Sequence, residues 1–320
     1  MQEELRPSAE VAVKQCMMVA ENERVLVITD TKLFEIGETI FRVASEVADS
    51  TLVVIPPRKS HGEEPPTELA EMMKTFDVLF IPTWRSMSHT EARRNACRAG
   101  ARCATLPNIR PDTMIRAMNA DYSKIADLTE RLAERITKAS TARVTTPAGT
   151  DLSFSLVGRT GLPDTGLVHK SGGFTNLPAG EAYTAPVEGS ANGVFVIDGA
   201  IADTGILQPN DYITVRVRKR LCSPDLRAGR SAEYLRSIME PHGKEAYNIA
   251  ELGIGTNYKA QLVGSVLEDE KVLGTVHIAM GDNRSMGGTI RVASHLDGIL
   301  LEPSLFFDSE PILMNGAIKI

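Results

Sequence analysis

Over the first 140 residues, short apolar runs of strand length alternate with stretches whose apolar positions recur at helical spacing. The runs are Arg-Val-Leu-Val-Ile-Thr-Asp at 24–30, Thr-Leu-Val-Val-Ile-Pro at 51–56, Asp-Val-Leu-Phe-Ile-Pro at 77–82 and Ala-Arg-Cys-Ala-Thr-Leu at 101–106. Residues 7–21, 32–48, 67–75 and 89–99 read as helices, the second with Phe34, Ile36, Ile40, Val43 and Val47 at near-helical spacing. Nearly continuous apolar strands separated by helices predict a parallel sheet covered on both faces. The expectation for residues 1–140 is an α/β domain, an open, doubly wound parallel sheet.

An amphipathic helix at 121–139 is expected to link this layer to the rest. From 142 the texture changes to β-rich runs broken by Gly, Pro, Asn and Asp. The stretch from Arg143 to Leu156 reads as a hairpin around a Pro-Ala-Gly turn, and Gly193–Ala200, Tyr212–Leu221, Gln261–Val266 and Gly298–Leu301 are further strand candidates. One helix, roughly 231–240, interrupts them. Residues 141–320 are therefore expected to form a second, β-rich α+β domain.

The chain has 320 residues, enough for two ordinary cores, and its 42% hydrophobic and 24% charged content is that of a soluble globular protein. A net charge of −6 argues against a general nucleic-acid binder, whose phosphate contacts need a basic footprint. No apolar run approaches the roughly 18 residues of a membrane span. The start, Met-Gln-Glu-Glu-Leu-Arg, is acidic and leads into helical sequence, which predicts no secretory signal and a cytoplasmic protein. Cys16, Cys97, Cys103 and Cys222 lack C-x-x-C spacing and read as incidental thiols.

A nucleotide site is the usual suspicion for a doubly wound layer. Here the turn after the first strand is Thr29-Asp30-Thr31-Lys32, without a glycine-rich phosphate loop, and Gly253-Ile-Gly255 is half a fingerprint in the wrong context. Dinucleotide binding is not expected.

The chemistry gathers in the second half. His295 and Asp297 lie two apart in Ser-His-Leu-Asp-Gly, so on a strand they project from one face and can reach one ion together. His277 sits in Gly-Thr-Val-His-Ile-Ala-Met-Gly. Glu181 follows Leu-Pro-Ala-Gly, a turn that presents a carboxylate from a fixed backbone. Glu251 is flanked by Ile249, Ala250, Leu252 and Ile254, an apolar setting that an unpaired carboxylate occupies only at a cost. Three carboxylates and two imidazoles suffice for two divalent ions sharing a carboxylate, or for one ion with supporting partners. Read alone, each of these residues also has an ordinary explanation as a satisfied core or surface group.

The segments Asn-Leu-Pro-Ala-Gly-Glu181-Ala-Tyr-Thr-Ala-Pro, Ala-Glu251-Leu-Gly-Ile-Gly, Leu-Gly-Thr-Val-His277-Ile-Ala-Met-Gly and His295-Leu-Asp297 resemble the M29 metallo-aminopeptidases. That resemblance implies an α/β layer plus a β-rich metal domain, with Glu181, Glu251, His277, His295 and Asp297 holding a pair of divalent ions, zinc, cobalt or manganese. The chain departs from that family in being shorter and in lacking its tyrosine after the first histidine, where Gly281-Asp-Asn-Arg-Ser-Met-Gly-Gly288 stands instead. It is also similar, more loosely, to the 2,5-dihydroxypyridine 5,6-dioxygenases, ring-opening enzymes with one non-haem Fe(II). This second resemblance implies His277, His295 and Asp297 as the iron triad and His89, in Ser-Met-Ser-His-Thr-Glu, as a catalytic histidine. Ser88 is otherwise a helix-capping candidate, with His89 opening the first turn.

The carboxylate-rich set makes hydrolysis the leading expectation. A metal-activated water would attack a peptide carbonyl, with Glu251 or His89 carrying the proton to the leaving amine. Ring cleavage by a single iron is the alternative. Arg284 is a candidate contact for a substrate carboxylate and equally an ordinary surface arginine. The expected partner is a peptide or small-molecule substrate, and the expected assembly a homo-oligomer, as a dimer.

Overall fold

The structure is a computed structural model that describes residues 2–202, 204–218, 221–224 and 230–320. It divides into two compact units, Met1–Lys124 with Thr165–Ala179, and Ile125–Asp164 with Gly180–Ile320. The division falls inside the linking helix rather than at 140, and residues 165–179 return to the first unit.

In the first unit α1 (Gln2–Glu10), β1 (Arg24–Asp30), α2 (Phe34–Ser45), β2 (Asp49–Ile55), α3 (Thr67–Met73), β3 (Val78–Ile81), α4 (Glu91–Arg98), β4 (Arg102–Thr105) and α5 (Pro111–Ala117) follow one another. The chain continues through α6 (Tyr122–Lys138), β5 (Thr141–Thr145), β6 (Asp151–Ser155) and β7 (Leu162–Asp164), which belong mainly to the second unit, and comes back as β8 (Phe174–Asn176). The sheet order is β2-β1-β3-β4-β8 with every pair parallel. The doubly wound parallel layer is thus present, with a fifth strand from far along the chain. Leu26, Ile28, Leu79, Ile81 and Cys103 on the strands pack with Leu69, Met73, Ala92 and Ala96 on α3 and α4.

Several local details differ from the expected pattern. The first helix begins at Gln2 and passes into a π-helical turn, Val11–Cys16, instead of running 7–21. Phe34 is the first residue of α2 and is exposed, whereas Ile36, Ile40 and Val43 are buried. The cap of α4 is Thr90, whose side chain accepts from Arg93 N, and not Ser88, whose hydroxyl is held among Thr105 and Asn176. After β1, the Asp30 carboxylate accepts from the amides of Lys32, Leu33 and Trp84. The amides of the turn after β1 are thus engaged by a carboxylate of the chain itself.

The second unit adds β9 (Glu181–Thr184), β10 (Asn192–Ile197), β11 (Ile213–Arg218), β12 (Leu221–Pro224), α7 (Arg230–Met239), β13 (Ile249–Gly255), α8 (Val266–Asp269), β14 (Val276–Gly281), β15 (His295–Leu300), β16 (Ser304–Phe307), β17 (Glu310–Met314) and β18 (Ala317–Ile318). Among the described residues these form an eight-stranded sheet, β12-β11-β10-β6-β5-β16-β17-β18, and a five-stranded one, β15-β14-β13-β9-β7, with antiparallel neighbours. The hairpin around Pro-Ala-Gly is β5–β6. Residues 261–265 form no strand; the amides of Gln261 and Val263 donate to the carboxylates of Glu268 and Asp269, so side chains replace a neighbouring strand. Cys16, Cys97 and Cys103 are buried, and the side chain of Cys222 lies outside the described residues. Among the described residues no helix is long and apolar enough to cross a membrane.

Candidate metal centre

The five-stranded sheet has two unlike faces because strand side chains alternate. Ala182, Leu252, Ile254, Val276, Ile278, Met280 and Leu300 enter the hydrophobic core of the second unit. The intervening residues carry the polar groups. Glu251 stands opposite Ala279, and Ala279 opposite Asp297. In the next row Tyr183, Gly253 and His277 are in register, and Asp164, Glu181 and Gly255 follow. Glu181, Glu251, Asp297, His277 and His295 therefore converge on one sheet face beside Asp164, with Ala279 between Glu251 and Asp297 leaving room.

Their polar atoms form two overlapping groups. Glu181, Glu251 and His277 present one ligand atom each within 4.8 Å of one another, and so do Glu251, His295 and Asp297. Nε2 of His277 lies 3.2 Å from Glu181 Oε2 and donates to Glu251 Oε1 at 3.4 Å. Nε2 of His295 lies 3.1 Å from Glu251 Oε2 and 3.2 Å from Asp297 Oδ1. Glu251 is shared, one oxygen to each side. The expected triad of His277, His295 and Asp297 is not a group of its own, because each imidazole pairs with a different carboxylate partner beside Glu251.

The donor set fits a divalent cation on a local observation. His295 Nδ1 donates to the carbonyl of Asp282 at 2.8 Å, which fixes the tautomer as it is fixed in ligating histidines. Its other nitrogen then faces two carboxylate oxygens, an arrangement that only a proton or a cation reconciles. Burial pushes the imidazolium of His295 down, yet Asp297 and Glu251 outweigh it and hold its pKa well above the ordinary histidine range. The same contest at His277, with Glu181 and Glu251, ends the same way. Burial raises Asp297, but His295, His277 and Lys271 bring it below its ordinary range. His277 is fully buried and, among the described residues, its Nδ1 has no hydrogen-bond partner, whereas the His295 side chain is 31% exposed and forms the open rim.

Two features of this face were not legible as function in the sequence. Lys271, in the run Leu-Glu-Asp-Glu-Lys-Val that reads as a solvated surface, has a side chain only 1% exposed. Its Nζ lies 2.5 Å from Glu181 Oε1, 2.8 Å from Glu270 Oε1 and 3.6 Å from Asp164 Oδ2. Burial works against this ammonium, but Glu181, Glu270 and Asp164 outweigh it and hold it charged. Burial and the nearby Glu181 and Asp297 raise the Glu270 carboxyl, against the opposing pull of Lys271. Tyr183 is the second; burial first, then Asp164, Glu181 and Glu251, raise its hydroxyl pKa.

The half fingerprint Gly253-Ile-Gly255 has its explanation here. A Cβ on Gly253 would fall 1.9 Å from His277 Nε2, and one on Gly255 would fall 2.1 Å from the carbonyl oxygen of Val272. One glycine makes room for the imidazole, the other for the backbone that carries Lys271. Neither serves a phosphate.

His89 belongs to the first unit, exposed in the turn before α4, and neither donor group includes it. Arg284 is exposed on the short 3-10 turn Arg284–Met286. Beside it, Glu188 receives the amide and hydroxyl of Thr289, the Asn283 amide and the Arg159 guanidinium, and so ties the β14–β15 connection to the chain after β9.

A parallel-sheet unit joined to an antiparallel unit with a buried carboxylate–imidazole cluster defines a metal-binding enzyme scaffold. The family described as NicX, 2,5-dihydroxypyridine 5,6-dioxygenase, matches residues 8–320, and the chain belongs to it. It is 26% identical over 223 residues to the 2,5-dihydroxypyridine 5,6-dioxygenase of Pseudomonas putida KT2440, which takes in 65% of this chain and 62% of that protein, less than two thirds of its length. In fold it is similar to the 2,5-dihydroxypyridine dioxygenase structure from the same organism, with a TM-score of 0.84 at 19% identity over 100% of this chain and 98% of the other. It is also similar to wild-type AmpT from Thermus thermophilus, with a TM-score of 0.69 at 17% identity and 99% of each chain covered. The likeness to AmpT is one of fold; the family in which the sequence itself falls is the oxygenase one.

Proposed function

We propose that this chain is a metal-dependent oxygenase that opens a dihydroxylated nitrogen-containing aromatic ring, reversing the order of the two activities expected from the ligand count. The observation that carries the reading is the Glu251–His295–Asp297 group, buried on one side and open at His295, in a chain matched by the dioxygenase family over residues 8–320. These three residues would hold a divalent iron, which when bound supplies redox contact with dioxygen and with a phenolic oxygen. The set differs from the usual pair of histidines and one carboxylate in having one imidazole and two carboxylates.

The chain's own residues have separate tasks. Asp282 fixes the His295 ring through its carbonyl, so that Nε2 stays aimed at the ion. The packed strands behind the cluster keep bulk water from its inner side.

Hydrolysis is the second reading, favoured by one observation: Glu251 offers one oxygen to each donor group, the arrangement two bridged ions require. The deciding experiment loads metal-free protein anaerobically with Fe(II) and adds a dihydroxypyridine in an oxygen electrode. Uptake of one dioxygen per ring lost, with no added reductant, is the expected result. Release of amino acids from amino-acid amides by the zinc, cobalt or manganese form, without oxygen uptake by the iron form, would reverse the assignment.

A further inference from the structure

We propose that Cys97 and Cys103 form a modification site for hydroperoxides, in which the Cys97 sulfur is oxidised first and Cys103 then closes a disulfide with it. The site lies wholly in the first unit and stands apart from the metal-dependent reading above.

Three observations lead to it. First, the chain reverses between the two cysteines and brings their sulfurs together. At the end of α4 the amides of Gly100 and Ala101 close on the carbonyls of Cys97 and Ala96, a tight cap that turns the backbone straight into β4. The Cys97 and Cys103 side chains hydrogen-bond to each other. One acceptor holds both residues: the Gly173 carbonyl takes Cys97 Sγ at 3.7 Å and Cys103 N at 3.0 Å. Second, a cation is fixed beside Cys97. Arg93, one turn earlier on α4, places Nη1 4.0 Å from Cys97 Sγ. Its Nε donates to Ser88 O at 2.8 Å, and its guanidinium lies 4.0 Å over the Phe174 ring, so the charge stays in place. The Cys103 thiol and Arg93 hold the Cys97 thiol below its ordinary range against burial, whereas burial and then Cys97 raise Cys103. Third, Cys97 keeps 8% of its surface exposed and Cys103 none, so an incoming peroxide meets Cys97 first. The thiolate is the attacking form, and charge and access favour the same sulfur. With hydrogen peroxide, Cys97 sulfur bonds to one oxygen, the O–O bond breaks and the other oxygen leaves as water with the thiol proton. Cys103 sulfur then bonds to Cys97 sulfur, and the hydroxyl leaves as water with the Cys103 proton. Two thiols and one peroxide become one disulfide and two waters.

The test treats full-length protein as purified with hydrogen peroxide, in a buffer whose chelator keeps loose iron from forming radicals, and blocks the remaining thiols with N-ethylmaleimide. Trypsin cuts after Arg98 and Arg102, so the bridge shows in mass spectrometry as two joined peptides that dithiothreitol separates. In the wild type this pair is expected to form faster than glutathione is oxidised at the same peroxide concentration and neutral pH. Cys103→Ser is expected to stop at the Cys97 sulfenic acid, which dimedone captures. Cys97→Ser is expected to slow oxidation of Cys103 at least about a hundredfold. A wild-type pair that forms more slowly than glutathione is oxidised would overturn the inference. So would a bridge from Cys97 to Cys16 or Cys222, or a folded Cys97→Ser protein whose Cys103 is oxidised as fast as in the wild type. Should either variant fail to fold, the identity and rate of the wild-type bridge still decide. Oxygen uptake with a dihydroxypyridine tests the oxygenase reading alone, since the bridge is measured without turnover.

Discussion

Gly253 lies directly across the β13–β14 pair from His277, and the imidazole occupies the space where a side chain on residue 253 would begin. Gly253→Ala must displace the ring or spread the strands. It is expected to cost about 1–3 kcal/mol in denaturant unfolding, the usual range for overpacking, and to weaken metal binding through the altered His277 and Glu251. Wild-type stability together with wild-type metal affinity would show that the strands give way freely.

His295→Ala and Asp297→Ala should each leave a folded protein, because the opposite side of β15 is anchored by Leu300 in the core. Each should weaken metal binding by more than the roughly 10–100-fold that outer-shell partners cost. Glu251→Gln should do the same, since it removes charge from both donor groups at once. Metal analysis beside far-ultraviolet circular dichroism checks all three, and normal metal content in any of them would displace that residue from the ligand set.

Glu188 gives a stability prediction with a definite sign. Burial raises its carboxyl, but the Thr289 amide, Asn283 and Arg159 outweigh that and leave it at about 2, against an ordinary 4.5. Its stabilising contribution is therefore full above pH 4.5 and is lost as pH falls towards 2. Glu188→Gln should cost about 2–3 kcal/mol at pH 7, with the gap to wild type closing on acidification. A gap independent of pH would mean the charge is not what ties the β14–β15 connection.

Asp198 should behave in the opposite way. Burial raises its carboxyl to about 6 from 3.8, while its Oδ1 accepts from Leu301 N. The folded state holds that proton more tightly, so stability falls as pH rises from about 4 to about 6 and stays lowered above. Asp198→Asn keeps the acceptor and removes the charge, and should stabilise the protein by up to about 3 kcal/mol at pH 7.5 and by little at pH 4. Thermal unfolding at the two pH values is the measurement.

The ligand candidates were legible because few residue types bind divalent ions and because alternation on a strand places His295 and Asp297 on one face. Register supplied what spacing could not: Glu251 reaches Asp297 across Ala279, a relation between residues nearly fifty apart in the chain that no local pattern carries. Lys271 was hidden for a related reason. Charges in a run read as solvent-facing, and only the close approach of its backbone to Gly255 buries it. In the first unit the parallel layer followed from its apolar runs, while β8, three residues long, is too short to show a period.

That short strand decides how the protein can be cut. A fragment ending at residue 140, where the texture of the sequence changes, would lack Phe174–Asn176 and leave the Cys103–Thr105 edge of β4 without its neighbour. An unpaired edge of this kind is a template for pairing with another copy, so such a fragment should aggregate unless residues 165–179 are grafted back. On the ribosome the same topology means that the first unit cannot close its sheet until β5, β6 and β7 have already emerged, although those strands belong to the other unit. The metal-bearing half thus begins to be made before the half that precedes it is finished.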